Sequence, residues 1–272
     1  MTETAPLQEV PRPEEPQSAH CLCESFARVT ERAALAGARW LGRADQESAE
    51  RDASVAMRNA LELLPIVLLV GGATGTGKST VATEIAYRLG ITRVTSTDFV
   101  RQTMRAFFSQ DFMPSIHYSS FEAGQARDED DPDRVLHGFL DQTRNVLVGV
   151  RAAIELALEE GWSMVLEGVH LVPGMLPAEI EGALVVEFVL AIEDVEAHAS
   201  HFWIRDTVSE GIRPFERYLE SLGDIRRIQA YILERARKAG VPVIENASIE
   251  EAIAAAMELV LESAERAEKV GR

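Results

Sequence analysis

The chain has 272 residues, enough for one large or two small domains, and its 46% hydrophobic content is ordinary for a protein with a real core. A formal net charge of −17 argues against nucleic acid held on a diffuse basic surface, and no apolar run approaches the length of a membrane span. Cys21 and Cys23, separated by one residue, exclude a disulfide framework and fit reduced thiols in a cytoplasmic protein.

Residues 1–20 are rich in Pro and Glu and carry no hydrophobic signal core; they read as a disordered acidic tail. Residues 21–64 read as a helical N-terminal extension, broken around Gly42, whose role is not legible. From Pro65 onward strands and helices alternate, so residues 65–272 are expected to form one α/β domain with a parallel sheet.

Ile66-Val67-Leu68-Leu69-Val70 is a short aliphatic run that predicts a buried strand. It leads into Gly71-Gly72-Ala73-Thr74-Gly75-Thr76-Gly77-Lys78-Ser79-Thr80, within which Gly72 to Ser79 fits G-x-x-x-x-G-K-[ST]. Strand before and helix after give this phosphate-loop pattern its required context. Glycines let backbone N–H groups turn inward on phosphate oxygens, and the following helix adds its positive end. Gly72, Ala73, Thr74, Gly75, Thr76, Gly77, Lys78, Ser79 and Thr80 are therefore the expected ATP-binding residues, with Lys78 on the β- and γ-phosphates and the Ser79 hydroxyl on Mg²⁺. The helix runs from Lys78 to about Leu89, with Gly90 placed to end it.

Further strands are expected near Arg93–Ser96, Ser163–Glu167, Leu184–Ala191 and Pro242–Ile244. A long helix is expected over Pro132 to Glu160, with Asp131 as its N-cap and Gly161 just past its end. Ser248-Ile249-Glu250-Glu251 has the capping-box pattern that opens the last helix. About five parallel strands with a phosphate loop after the first predict a P-loop kinase fold of the nucleoside-monophosphate-kinase type.

In such sheets ligands bind at the carboxyl ends of the strands, so polar residues just after strands are the functional candidates. The second strand ends in Ser96-Thr97-Asp98, and Asp98, Arg101 and Arg105 would share one helix face. Asp98 can take the proton of an attacking hydroxyl, and the arginines can bind an anionic acceptor. The third strand ends in Glu167-Gly168-Val169-His170; Glu167 is the candidate for the second Mg²⁺-organising residue and His170 a candidate substrate contact. His117, Ser119 and Ser120 lie where an acceptor can be hydrogen-bonded. After the fourth strand, His198, His201, Trp203, Arg205, Arg213 and Arg217 read as an arginine-bearing lid over the phosphates, with Arg205 as its catalytic candidate. A metal site on the histidine pair lacks a third ligand. Arg226 and Arg227 are open between lid, substrate and surface roles.

These blocks resemble the 2-phosphoglycerate kinases known from methanogenic archaea, with relatives in bacteria and plants. The resemblance rests on the phosphate loop, on Ser96-Thr97-Asp98 with Arg101 and Met104-Arg105, on His117-Tyr118-Ser119-Ser120-Phe121-Glu122-Ala123, and on Leu166-Glu167-Gly168-Val169-His170. It continues through Ile225-Arg226-Arg227-Ile228-Gln229 to Val241-Pro242-Val243-Ile244. It implies ATP-dependent phosphorylation of the 3-hydroxyl of 2-phosphoglycerate, an acceptor carrying a carboxylate and a phosphate. A kinase of the same fold acting on another phosphorylated sugar, an inositol phosphate or a nucleotide-sugar is the nearest alternative, and a regulatory P-loop ATPase a more distant one. The partner expected is a small anion, with no nucleic acid and no membrane; oligomeric state is not written in these patterns.

Overall fold

The chain divides into two units, residues Met1–Leu63 and Leu64–Arg272. The computed structural model describes residues 65–208 and 215–270, with the isolated positions Ala34 and Ala49. The expected tail, the helical extension apart from those two positions, Cys21, Cys23 and Arg213 lie outside the described residues.

The first strand, β1, is Ile66–Gly71, and its register explains the rest of the sheet. It pairs in parallel with β3 (Met164–Glu167) on one side and β4 (Leu184–Ala191) on the other. The edges are β2 (Val94–Ser96) beside β3 and β5 (Val243–Glu245) beside β4, giving the order β2-β3-β1-β4-β5. Alternation along β1 sends Leu68 and Val70 to one face, and Val67 and Leu69 to the other. The first face is covered by α1 (Lys78–Arg88) and α7 (Ile249–Val270), through Val81, Ile85, Ala252 and Val260. The second is covered by α3 (Arg134–Glu159), through Val146, Val150 and Ile154. Burial on both faces is why β1 reads as an unbroken apolar run.

A third apolar group lies beyond the strand ends. It joins Phe139 of α3, Phe202 of α4 (Val195–Val208), and Ile225, Ile228 and Ile232 of α6 (Leu222–Ala239). Between α4 and α6 lies the short α5 (Phe215–Glu220), and α2 (Thr97–Phe107) follows β2 directly.

Several expected boundaries move, each for a local reason. Asp133, not Asp131, caps α3, its carboxylate accepting from the Leu136 N–H. Asp131 is held by His137 and Arg127 and accepts from the Asp133 N–H at 3.0 Å, just ahead of the first turn. Ser163 precedes β3 and joins the sheet through its side chain, accepting from the Ile66 N–H at 3.0 Å. Arg93 precedes β2 and stacks on Trp162, its guanidinium carbon 3.3 Å from the ring centre. The fifth strand starts at Val243 rather than Pro242, since proline brings no N–H to a ladder. At α7, the Ser248 hydroxyl accepts from the Glu251 N–H at 3.4 Å, which forms the Ser248 half of the box as expected, and donates its own proton to Glu250.

Candidate active site

The register aligns three strand ends. Val70 of β1 lies opposite Glu167 of β3, which lies opposite Ser96 of β2. The phosphate loop, the Glu167 carboxylate and the start of α2 are thereby brought together at the carboxyl end of the sheet.

The loop from Gly72 to Gly77 is held from several sides. Lys78 Nζ donates to the Ala73 carbonyl at 2.5 Å and lies 3.5 Å from Thr76 Oγ1, within the cradle. The Thr76 hydroxyl also donates to Ala73 O at 3.0 Å. His198 Nε2 donates to the Thr74 carbonyl at 2.8 Å, and His201 Nδ1 to the Gly75 carbonyl at 3.1 Å. Both histidines come from α4, so their side chains brace the loop. Burial lowers the pKa of His198, consistent with a neutral ring donating to a carbonyl. Asn246, just after β5, donates to the Thr76 carbonyl at 3.0 Å. Gly77 takes φ 83° with the Asn246 amide against its α-carbon, and Gly75 takes φ 89° beneath the Phe202 ring; a β-carbon at either would collide. No side chain caps α1, so the N–H groups of its first turn are left facing the loop.

Ser79 Oγ lies 3.1 Å from Glu167 Oε1. A hydroxyl and a carboxylate in contact beside a phosphate loop are hard oxygen donors of the kind Mg²⁺ takes, so these residues fit the ion. A cleft of about 370 Å³ opens from this pair toward Ser96 and Phe99.

Asp98 stands on the first turn of α2, whose N-cap is Ser96. Its side chain is 62% exposed, and it accepts from Arg101 Nε at 2.8 Å. Arg101 itself is 5% exposed, and its Nη1 donates to the carbonyls of Ile116 and Tyr118 at 2.8 and 2.9 Å. It clamps the turn Pro114–His117 to α2. Gln142 of α3 grips the same turn, donating to the carbonyls of Ser115 and Tyr118. Its oxygen accepts from His170 Nε2 at 2.9 Å, which leaves His170 Nδ1 to accept from the Thr97 hydroxyl at 2.8 Å. His170 is fully buried, and desolvation lowers its pKa to about 3, so the ring is neutral. It therefore couples β3 to α2 and α3 from behind the site rather than opening onto it. A β-carbon at Gly168 would collide with Thr97, which explains a glycine here.

The remaining candidates scatter. His117 Nε2 donates to the Phe108 carbonyl at 3.0 Å. Ser120 Oγ lies 3.4 Å from Thr74 Oγ1, tying the acceptor block to the phosphate loop. Ser119 accepts from Arg217, which also forms a two-toothed ion pair with Glu122. Arg105 turns to Gln102 on the exposed side of α2. Arg226 donates to the carbonyls of Ile192 and Glu193, and Arg227 pairs with Asp133; both hold backbone or helix ends. Arg205 lies in α4, with its side chain outside the described residues. Asn246 and Gln142 were not singled out from sequence. Asn246 follows a strand and meets the strand-end criterion; Gln142 is marked only by a polar side chain on the buried face of α3.

Five parallel strands in this order, with a phosphate loop after the central one, define a P-loop kinase fold. Shikimate kinase from Acinetobacter baumannii, solved with shikimate, superposes with a TM-score of 0.42 at 16% identity, covering 75% of this chain and 97% of that one. Residues 20–99 match the profile of bacterial fructose-1,6-bisphosphatase, glpX-encoded, a stretch that stops within α2 and short of the acceptor block. The 2-phosphoglycerate kinase of Methanothermobacter thermautotrophicus is 44% identical over 189 residues, 68% of this chain and 62% of that protein. That of Methanococcus maripaludis is 39% identical over 212 residues, 75% of this chain and 67% of that protein. The chain belongs to the 2-phosphoglycerate kinase family. It spans roughly three fifths to two thirds of the length of the curated relatives it matches.

Proposed function

We propose that residues 65–272 form a kinase domain that transfers the γ-phosphoryl group of ATP to the 3-hydroxyl of 2-phosphoglycerate, giving 2,3-bisphosphoglycerate. The observation that carries this reading is the Ser79–Glu167 contact beside Lys78, with Asp98 rising from the neighbouring strand end. The relatives' names supply the acceptor. The loop N–H groups surround the phosphates, and Lys78 holds the charge developing on the transferred group. Ser79 and Glu167 are the residues that would hold Mg²⁺, which would supply positive charge against the nucleotide's phosphates. Asp98, exposed at the strand end, accepts the proton as the acceptor oxygen attacks in line. The neutral His170, Gln142 and Arg101 fix the acceptor block against α2 and α3. The reading carries a cytoplasmic location, where ATP is available.

The test is ADP release, measured without acceptor and across a panel of phosphorylated acids, sugar phosphates and inositol phosphates. Stimulation by 2-phosphoglycerate above all others is the expected result. Steady hydrolysis that no acceptor stimulates would turn the protein into a plain ATPase.

A further inference from the structure

The acceptor in that reading carries two anionic groups, and the arginines that sequence placed against it have other bonds. Arg101 is buried on backbone carbonyls, and Arg105 faces Gln102 at the surface. Arg226 and Arg227 bind Ile192, Glu193 and Asp133. Arg217 differs. It stands on α5, 51% exposed, and reaches across to the side chains of the acceptor block. Its Nε donates to Glu122 Oε1 at 3.0 Å and its Nη2 to Ser119 Oγ at 3.0 Å. The next residue, Ser120, touches Thr74 of the phosphate loop. A planar guanidinium is thus aimed at the block, one residue from the loop that holds the phosphates, with a carboxylate across its fork.

We propose that Arg217 is a specificity-determining residue of this kinase, binding the carboxylate or phosphate of the acceptor, and that Glu122 occupies its fork when no acceptor is bound. This rests on the assignment of an anionic acceptor made above. The Glu122 carboxylate has the charge and planarity of the group it stands in for. Its position beside a serine hydroxyl supplies the third contact an oxyanion would take. The Arg217 bond holds the Glu122 pKa below the ordinary carboxylate range, so the competitor is charged at neutral pH. An acceptor must therefore displace one anion and is repelled by it until it does.

A purely structural latch makes a different prediction, because a latch is lost equally from either side. Steady-state kinetics on Arg217→Ala, Arg217→Lys, Glu122→Gln and the double variant Arg217→Ala/Glu122→Gln separate the two. Arg217→Ala is expected to raise the acceptor KM about 10- to 150-fold, with the ATP KM nearly unchanged. Arg217→Lys recovers only part, since lysine lacks the fork. Glu122→Gln is expected to leave the acceptor KM unchanged or lower it. Equal increases from Arg217→Ala and Glu122→Gln, not exceeded in the double variant, would make the pair a latch and overturn the proposal. So would an acceptor KM that ignores Arg217→Ala in a protein with wild-type melting temperature. If the wild type responds only to a different acceptor in the panel, the 2-phosphoglycerate assignment falls, and the same opposite-sign comparison on that acceptor still decides Arg217.

Discussion

Lys78 is buried against the Ala73 carbonyl and the Thr76 hydroxyl of its own loop, so its ammonium is positioned before any phosphate arrives. Removing it takes away a preorganised positive charge where negative charge develops, an effect typically on the order of 10²–10³ in rate. Lys78→Ala is therefore expected to fold, as checked by circular dichroism, and to lose phosphoryl transfer by at least that factor in a coupled ADP assay. Asp98 is a different kind of residue: exposed, held by one arginine, and distant from the loop backbone in its bonding. Asp98→Asn keeps the hydrogen bond from Arg101 but cannot take a proton. A large fall in kcat with little change in ATP KM is the expected outcome, since the lost interaction belongs to the transition state. Weakened ATP binding with kcat retained would assign Asp98 to the nucleotide instead.

At the scale of elements, α2 and α3 act as two jaws on the turn Pro114–His117. Arg101 grips from α2 and Gln142 from α3, and both hold the Tyr118 carbonyl. Gln142→Leu leaves the buried His170 Nε2–H without its acceptor, a loss of roughly 1–3 kcal/mol, and takes one of two donors from each of the Ser115 and Tyr118 carbonyls. The expected result is a melting temperature lower by several degrees together with a raised acceptor KM and an ATP KM near wild type. If stability falls while both KM values hold, the clamp serves folding alone. This division also shows what sequence can say. The strand–loop–helix at β1 and α1 is written locally: an apolar run, the glycines and Lys78-Ser79. Gly90 and Gly161 were readable as helix ends and do take φ 67° and 63°. The contact between Ser79 and Glu167 follows from the rule that parallel strands present their carboxyl ends together. Arg101 could not be read the same way. An arginine on a helix face looks alike whether it meets a ligand or a carbonyl 15 residues onward. Gln142 was hidden in an apolar stripe, and the cap at Asp133 was hidden by Asp131, whose side chain His137 engages. Each of these depends on which partner a fold brings near, not on residue type.

At the scale of the whole molecule, one buried carboxyl group ties stability to pH. Glu187 sits in β4 and faces opposite to Val186 and Phe188, and burial raises its pKa to about 7. The folded protein keeps this proton up to that pH, whereas the unfolded chain releases it near the ordinary 4.5. The folded state thus binds more protons across the window, and stability falls as pH rises through it. Glu187→Gln is expected to match wild type near pH 4.5 and to melt higher at pH 8, by roughly 1–3 kcal/mol in stability. Equal melting curves at pH 8 would show that the carboxylate is hydrated there. The central position of β1 has a consequence of another kind, in the order of synthesis. Ile66 and Ser163, joined by a hydrogen bond beside the sheet, are 97 residues apart, and β4 lies further on still. At about 5–20 residues per second, β1 leaves the ribosome roughly 5 to 20 seconds before either neighbour exists. For that interval an apolar segment of the core has both of its edges unpaired, the kind of surface that other nascent chains and chaperones seize. A sheet that buries its phosphate-loop strand in the middle therefore exposes that strand longest while the protein is being made.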